Sequence, residues 1–271
     1  LAFDPVSKRL ATADSVGWLR LLALPSGTTT IAKKAHTGPV RQMHWLQGGP
    51  FNGVRLFTGD ELGKFVAWQP NTLVTSDWTP SFVSATSGPV RGIAANPKGT
   101  LVAVAWQNAG VVILGTEKGA VLGGPLLPGK AVSAVAFDGN GRLWVGNDAG
   151  ALRRYQVAQM GPPGWKLDWS IPATKTLPAP GAINTIVPTL AGPLMISGRK
   201  ATGIRTLQGA WLPLGAPLPF SPAAVDSTTE RWAIVGTAGQ ARVGSWVSGA
   251  SLWSGDVHSG TNVSAVALKS I

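Results

Sequence analysis

Cysteine is absent from this chain, which excludes disulfides, thiolate metal sites and a cysteine nucleophile. That absence fits any redox compartment, so localisation stays open, with the cytoplasm favoured. Histidine is scarce: His36, His44 and His258 lie far apart, and none pairs with another at metal-ligand spacing, so neither a metal nor a cofactor is expected. Acids are few, 12 against 23 Lys and Arg. The resulting charge of +11 attracts polyanions in general without naming one, and the shortage of acids explains it equally well. No apolar run approaches the roughly 18 residues a membrane-spanning helix needs. No segment keeps a 3.6-residue apolar period, so helices should be few. The chain opens LAFDPVSKR, with neither a Met nor a charged-then-apolar leader, and is expected to be a piece of a longer polypeptide.

Short apolar runs and turn clusters are abundant. From Val132 to Val157 the chain reads as three strands, Val132 to Phe137, Arg142 to Gly146 and Ala151 to Val157. Between them stand Asp138-Gly-Asn-Gly141 and Asn147-Asp-Ala-Gly150, residue types that tolerate the backbone of tight turns. This up-down-up meander recurs. Its first-strand anchors are Val40, Val90, Val132, Ile183, Val225 and Val263, at spacings of 50, 42, 51, 42 and 38 residues, the length of a four-stranded propeller blade. The first unit starts in mid-pattern at Leu1 to Pro5, and the Pro-rich link Ala158 to Gly181 is expected to carry an outer strand over Trp165 to Ile171. No linker divides the chain, so residues 1–271 read as a single all-β domain. A closed ring removes exposed sheet edges. Six blades are favoured, with Asn262 to Leu268 completing the blade begun at Arg9; seven blades, with strands supplied by polypeptide outside this sequence, is the alternative.

His36-Thr-Gly-Pro-Val40 before a first strand, Asp4-Pro5 and Asn96-Pro97-Lys-Gly99 after one, and the pair Leu10 to Asp14 and Trp18 to Leu21 together resemble WD-repeat β-propellers. The resemblance spans essentially the whole chain. The segments Gly119 to Leu126 and Leu214 to Leu218 are similar to outer strands of bacterial WD-repeat arrays, which implies a sensor or scaffold module fused to an effector domain. The family's structural tetrad joins a His, a Ser or Thr, an Asp and a Trp. Unit two comes nearest, with His36, Thr58, Asp60 or Glu61, and Trp68, although the acid departs from the usual offset; other units are incomplete, with Tyr155 in the Trp place of unit four.

Catalytic signatures are missing. There is no G-x-S-x-G elbow. Gly124 to Ala131 looks like a phosphate-binding loop, but prolines remove its donors, Ala131 lacks a hydroxyl and a strand follows. Asn262-Val-Ser264 matches a glycosylation acceptor by chance on a strand. Asp14, Asp60, Glu61 and Asp148 could serve as acid pairs for hydrolysis, yet Asp at such turns ordinarily bonds the turn backbone. His36 and His258 read as hydrogen-bonding turn residues and His44 as packing.

Twelve tryptophans are the most unusual feature. Trp45, Trp68, Trp106, Trp144, Trp232 and Trp246 fall on strands and should pack between blades. Trp18, Trp78, Trp165, Trp169, Trp211 and Trp253 lie at strand starts or on outer strands, where some would be exposed anchors. Propeller topology puts the loops before first strands and the second-to-third turns on one face. Arg41, Arg91, Asp60, Glu61, Gln107, Asn108, Asp148, Arg199 and Lys200 are expected there, a mixed polar surface suited to a protein partner or another domain of the same polypeptide. A glycan or polyanion, nucleic acid included, is the alternative ligand; hydrolysis comes third.

Overall fold

The computed structural model describes residues 2–4, 9–47, 54–70, 78–157, 165–171, 182–188, 194–198, 202–205, 211–213, 223–226, 231–235, 240–245 and 251–256. The described residues form strands and their turns, with no helix among them, and consecutive strands assemble into six four-stranded sheets. Sheet 1 is β1 (Ala2–Phe3), β2 (Arg9–Ala13), β3 (Trp18–Ala23) and β4 (Thr29–Lys34). Sheet 2 is β5 (Val40–Gln47), β6 (Val54–Asp60), β7 (Lys64–Pro70) and β8 (Trp78–Ala85). Sheet 3 is β9 (Val90–Ala95), β10 (Leu101–Trp106), β11 (Gly110–Gly115) and β12 (Val121–Leu126). Sheet 4 is β13 (Val132–Phe137), β14 (Leu143–Asn147), β15 (Leu152–Val157) and β16 (Trp165–Ile171). Sheet 5 is β17 (Ile183–Pro188), β18 (Leu194–Gly198), β19 (Thr202–Arg205) and β20 (Trp211–Pro213). Sheet 6 is β21 (Ala223–Asp226), β22 (Arg231–Val235), β23 (Gln240–Ser245) and β24 (Ser251–Asp256).

The three strands expected from Val132 to Val157 and the outer strand at Trp165–Ile171 are all present. Sheet 1 takes its first strand from the start of the chain, Ala2 pairing with Ala11 and Phe3 with Leu10. The closing strand expected at Asn262 to Leu268, and Trp246 and His258 before it, lie outside the described residues.

The chain divides into two compact units, residues 1–132 with 157–165 and residues 133–156 with 166–271. Within the first, side-chain alternation gives sheet 2 two buried faces. Leu56, Val66 and Trp68 join Ala11, Leu19, Leu21 and Trp45 in one apolar cluster. Their immediate neighbours Phe57, Phe65 and Ala67 join Val90, Ile93, Val102, Val104 and Trp106 in another. Burial on both faces makes successive residues apolar, as at Leu56-Phe57 of β6 and Phe65-Val-Ala-Trp68 of β7. Each large apolar side chain so buried contributes about 1.5–3 kcal/mol. Phe65 sits at the centre of the second cluster, stacked 5.7 Å from Phe57 and edge-on at 6.4 Å to Trp106. Arg55 crosses the same seam, its buried guanidinium donating to the carbonyl of Thr116.

In the second unit, Ala134, Ala136, Trp144, Leu152, Ile183 and Ile186 make the corresponding cluster between sheets 4 and 5. Glycine sets how closely such sheets approach. A Cβ added to Gly59 would lie 2.7 Å from Val90 Cβ, and one on Gly146 would lie 2.7 Å from Ile183 Cγ2. In both cases the glycine precedes a turn residue, Asp60 or Asn147, and faces the first residue of the next sheet.

Candidate functional site

Hydrogen bonding at the second-to-third turns organises the candidate face. Asp60 and Asn147 end a second strand, Asp14 directly follows one, and each turns one side-chain oxygen onto the following backbone. Asp60 Oδ1 accepts from Leu62 N at 2.9 Å and Lys64 N at 2.8 Å. Asp14 takes Val16 N and Trp18 N, and Asn147 takes Ala149 N and Ala151 N, in the same way. The expectation that Asp14 and Asp60 serve turn geometry therefore holds. At Asp14 these backbone donors, Trp18 N foremost, hold the carboxyl below its usual range.

Asp60 does more, and it decides which of the two neighbouring acids belongs to the tetrad. Its second oxygen lies 2.9 Å from His36 Nδ1, His36 Nε2 lies 2.7 Å from Thr58 Oγ1, and Trp68 Nε1 donates to Thr58 Oγ1 at 2.8 Å. Donor chemistry orders this chain of bonds. The indole N–H can only donate, so Thr58 Oγ1 accepts it and donates its own O–H to Nε2, which leaves Nδ1–H for the Asp60 carboxylate. Burial pushes the His36 imidazole below its usual range against the opposing pull of Asp60, in keeping with a neutral ring. A hydroxyl, imidazole and carboxylate in this order resemble a nucleophilic relay. All three side chains are buried, however, with Thr58 and Asp60 fully so. Asp60 also contributes no side-chain surface to the face on which it was expected.

Glu61 points outward instead, 2.9 Å from Arg41 Nη2, with both side chains solvent-accessible. The next sheet repeats the device with different chemistry: Arg91 Nε and Nη2 donate to Gln107 Oε1 at 2.9 and 2.6 Å. Each Arg follows a Gly-Pro-Val loop, and in each case the residue it meets donates its backbone N–H to the loop proline, Glu61 N to Pro39 O and Gln107 N to Pro89 O, both at 2.9 Å. Asn108 is exposed beside Gly88. In the second unit Asp148 is exposed on the Asn147 turn, and the Arg place is taken by Ser133, whose hydroxyl donates to Ile183 O at 2.6 Å. Arg199 and Lys200 lie outside the described residues.

Two residues at these turns escaped the sequence reading. Val16 and Leu62 are 56% and 63% exposed, at the third position of Asp14-Ser-Val-Gly17 and Asp60-Glu-Leu-Gly63. The repeated spelling was the available signal. The tryptophans whose burial is described sort as expected: Trp45, Trp68, Trp106, Trp144 and Trp232 are buried, whereas Trp18 and Trp253 are exposed. His44 keeps some surface, but desolvation of its imidazole pushes it down to about 4. Gly124 to Ala131 runs from the end of β12 through a turn into β13. Among the described residues no cluster of His, Asp and Glu has the numbers to hold a metal ion, and no helix is long and apolar enough to cross a membrane.

No protein-family model matches the chain, and no curated protein matches it significantly in sequence. Many solved structures match it in shape, 1563 chains in all, so that likeness speaks to architecture and not to a particular activity. One is the crystal structure of Chaetomium thermophilum Raptor, a WD40 β-propeller protein, with a TM-score of 0.79 at 13% sequence identity. The match covers 98% of this chain and 26% of the Raptor chain. At that identity it shows the fold alone: an all-β chain of four-stranded antiparallel sheets that fits a WD-like propeller.

Proposed function

We propose that residues 1–271 form one non-enzymatic WD-repeat-like propeller domain of six blades that binds a protein partner, or another domain of its own polypeptide, through the turn face. The observation that carries this reading is the repeated Arg latch. Arg41 with Glu61 and Arg91 with Gln107 stand exposed at equivalent turns, while the hydroxyl–imidazole–carboxylate relay beneath them is sealed from solvent. Exposed, mutually oriented Arg side chains are typical interface anchors. Asn108 extends the face; in the second unit Asp148, and by their place in the repeat Arg199 and Lys200, are assigned to the equivalent turns. The test is affinity capture with the immobilised chain against an Arg41→Glu, Arg91→Glu double variant of equal melting temperature. Proteins held by the parent chain and lost by the variant are the expected outcome; identical capture by both sinks the reading.

Glycan or polyanion recognition is the second reading, favoured by the charge of +11 and the exposed Trp18 and Trp253. Titration of salt against heparin and nucleic acid separates the two, because binding that rests on released counterions falls steeply as salt rises.

A further inference from the structure

The turn tips of sheets 1 to 3 carry a pattern more specific than a mixed polar rim. A Cβ on Gly38 would lie 2.9 Å from Leu62 Cγ, and one on Gly88 would lie 2.7 Å from Asn108 Nδ2. Leu62 and Asn108 thus hold the same place, each laid over the glycine of the loop that leads into its own sheet. Val16 matches Leu62 through the shared Asx turn, since Asp14 bonds Val16 N and Trp18 N as Asp60 bonds Leu62 N and Lys64 N. Tight turns ordinarily expose Gly, Asn, Asp or Ser. Here two of them expose a valine and a leucine, with the partly exposed Trp18 beside the first.

Charge around these tips is one-sided. Lys34 Nζ rests on the carbonyl of Val16, Lys64 Nζ donates to Ala35 O at 3.1 Å, and Arg91 donates to the amide oxygen of Gln107. All three cations are met by neutral oxygens. The two partly exposed carboxylates at the same turns are already engaged, Asp14 by Arg20 at 3.0 Å and Glu61 by Arg41 at 2.9 Å. The rim therefore sets aliphatic tips among three cations that form no ion pair with a described carboxylate.

We infer that this rim binds a short protein segment in which acidic and apolar residues alternate. Its apolar side chains cover Val16 and Leu62, and its carboxylates take up Lys34, Lys64 and Arg91. Charged contacts then steer and orient the segment while apolar burial holds it. The inference rests on the protein-recognition reading above and names the chemistry of the partner. A nucleic acid satisfies the cations but leaves Val16 and Leu62 against a charged backbone; stacking wants successive aromatic faces, and the described rim offers Trp18 alone.

Fluorescence anisotropy on the full chain tests this with three labelled probes: a peptide alternating Asp and Leu, the same peptide with Ser for every Leu, and a single-stranded oligonucleotide of equal charge. The Asp/Leu peptide should bind at least about tenfold more tightly than either of the others. Leu62→Asp and Val16→Asp should each weaken it by about tenfold at unchanged melting temperature, while Leu252→Asp, an equally exposed apolar position on β24, leaves it unaltered. No binding of the Asp/Leu peptide, equal binding of all three probes, tightest binding of the oligonucleotide, or indifference to Leu62→Asp overturns the inference. A protein partner that requires Arg41 and Arg91 yet tolerates Leu62→Asp and Val16→Asp overturns it too, and leaves protein recognition standing.

Discussion

Asp60 Oδ2 lies 2.9 Å from His36 Nδ1 across 24 residues of chain, and both side chains are buried. This bond ties the loop entering sheet 2 to the turn that leaves its second strand. One carboxylate closes the turn with one oxygen and anchors the loop with the other. The exposed Arg41–Glu61 pair is thereby mounted on a fixed base.

Removing the hydroxyl from this chain of bonds should be costly. Thr58→Val leaves the Trp68 indole N–H and His36 Nε2 without partners inside the protein. A loss of about 2–3 kcal/mol is expected in urea unfolding, with Thr58→Ser close to the parent chain. A Thr58→Val protein as stable as the parent would show that the relay does not hold the loop.

Stability should fall with acid in a defined window. The folded-state pKa of His44 is lowered to about 4 from 6.5, and that of His36 is lowered from 6.5 as well. Below 6.5 the unfolded chain therefore binds protons that the folded chain refuses, so these groups' stabilisation is complete above that pH and is lost as pH falls toward 4. Urea midpoints measured from pH 7.5 to 4.5 should decline, and His44→Phe should flatten part of that decline.

Close approach of sheets 2 and 3 requires Gly59. Gly59→Ala should destabilise by about 1–3 kcal/mol through overpacking against Val90. Val90→Ala should destabilise by leaving a cavity. Because the two changes meet at one contact, the double variant should be less destabilised than the sum of the two, read as a coupling energy from a thermal or urea double-mutant cycle.

Arg41→Ala and Arg91→Ala, by contrast, should change stability by less than about 0.5 kcal/mol, because exposed pairs gain little in water. Differential scanning calorimetry checks this. Flat melting temperatures would also license these variants as clean probes of partner binding.

Local chemistry made most of the architecture legible. Asp138-Gly-Asn-Gly141 and Asn147-Asp-Ala-Gly150 fold as turns because their side chains bond their own backbone: Asp138 Oδ1 takes Asn140 N and Arg142 N, and Asn147 Oδ1 takes Ala149 N and Ala151 N. The outer strand at Trp165–Ile171 was legible because prolines bracket it. Val16 and Leu62 were not, since an aliphatic residue in a turn has no local signature that separates exposure from packing.

Strand positions, turn positions and the division of tryptophans into buried and exposed sets followed from the sequence itself, because each depends on residues within a few positions of one another. Tertiary structure alone decided between the neighbouring acids. Asp60 turns inward to His36 and Glu61 outward to Arg41, since successive residues at a strand end point to opposite sides and the register Val40↔Asp60 determines which side is buried. That register is a contact between segments 20 residues apart, and no local pattern of residue types encodes it.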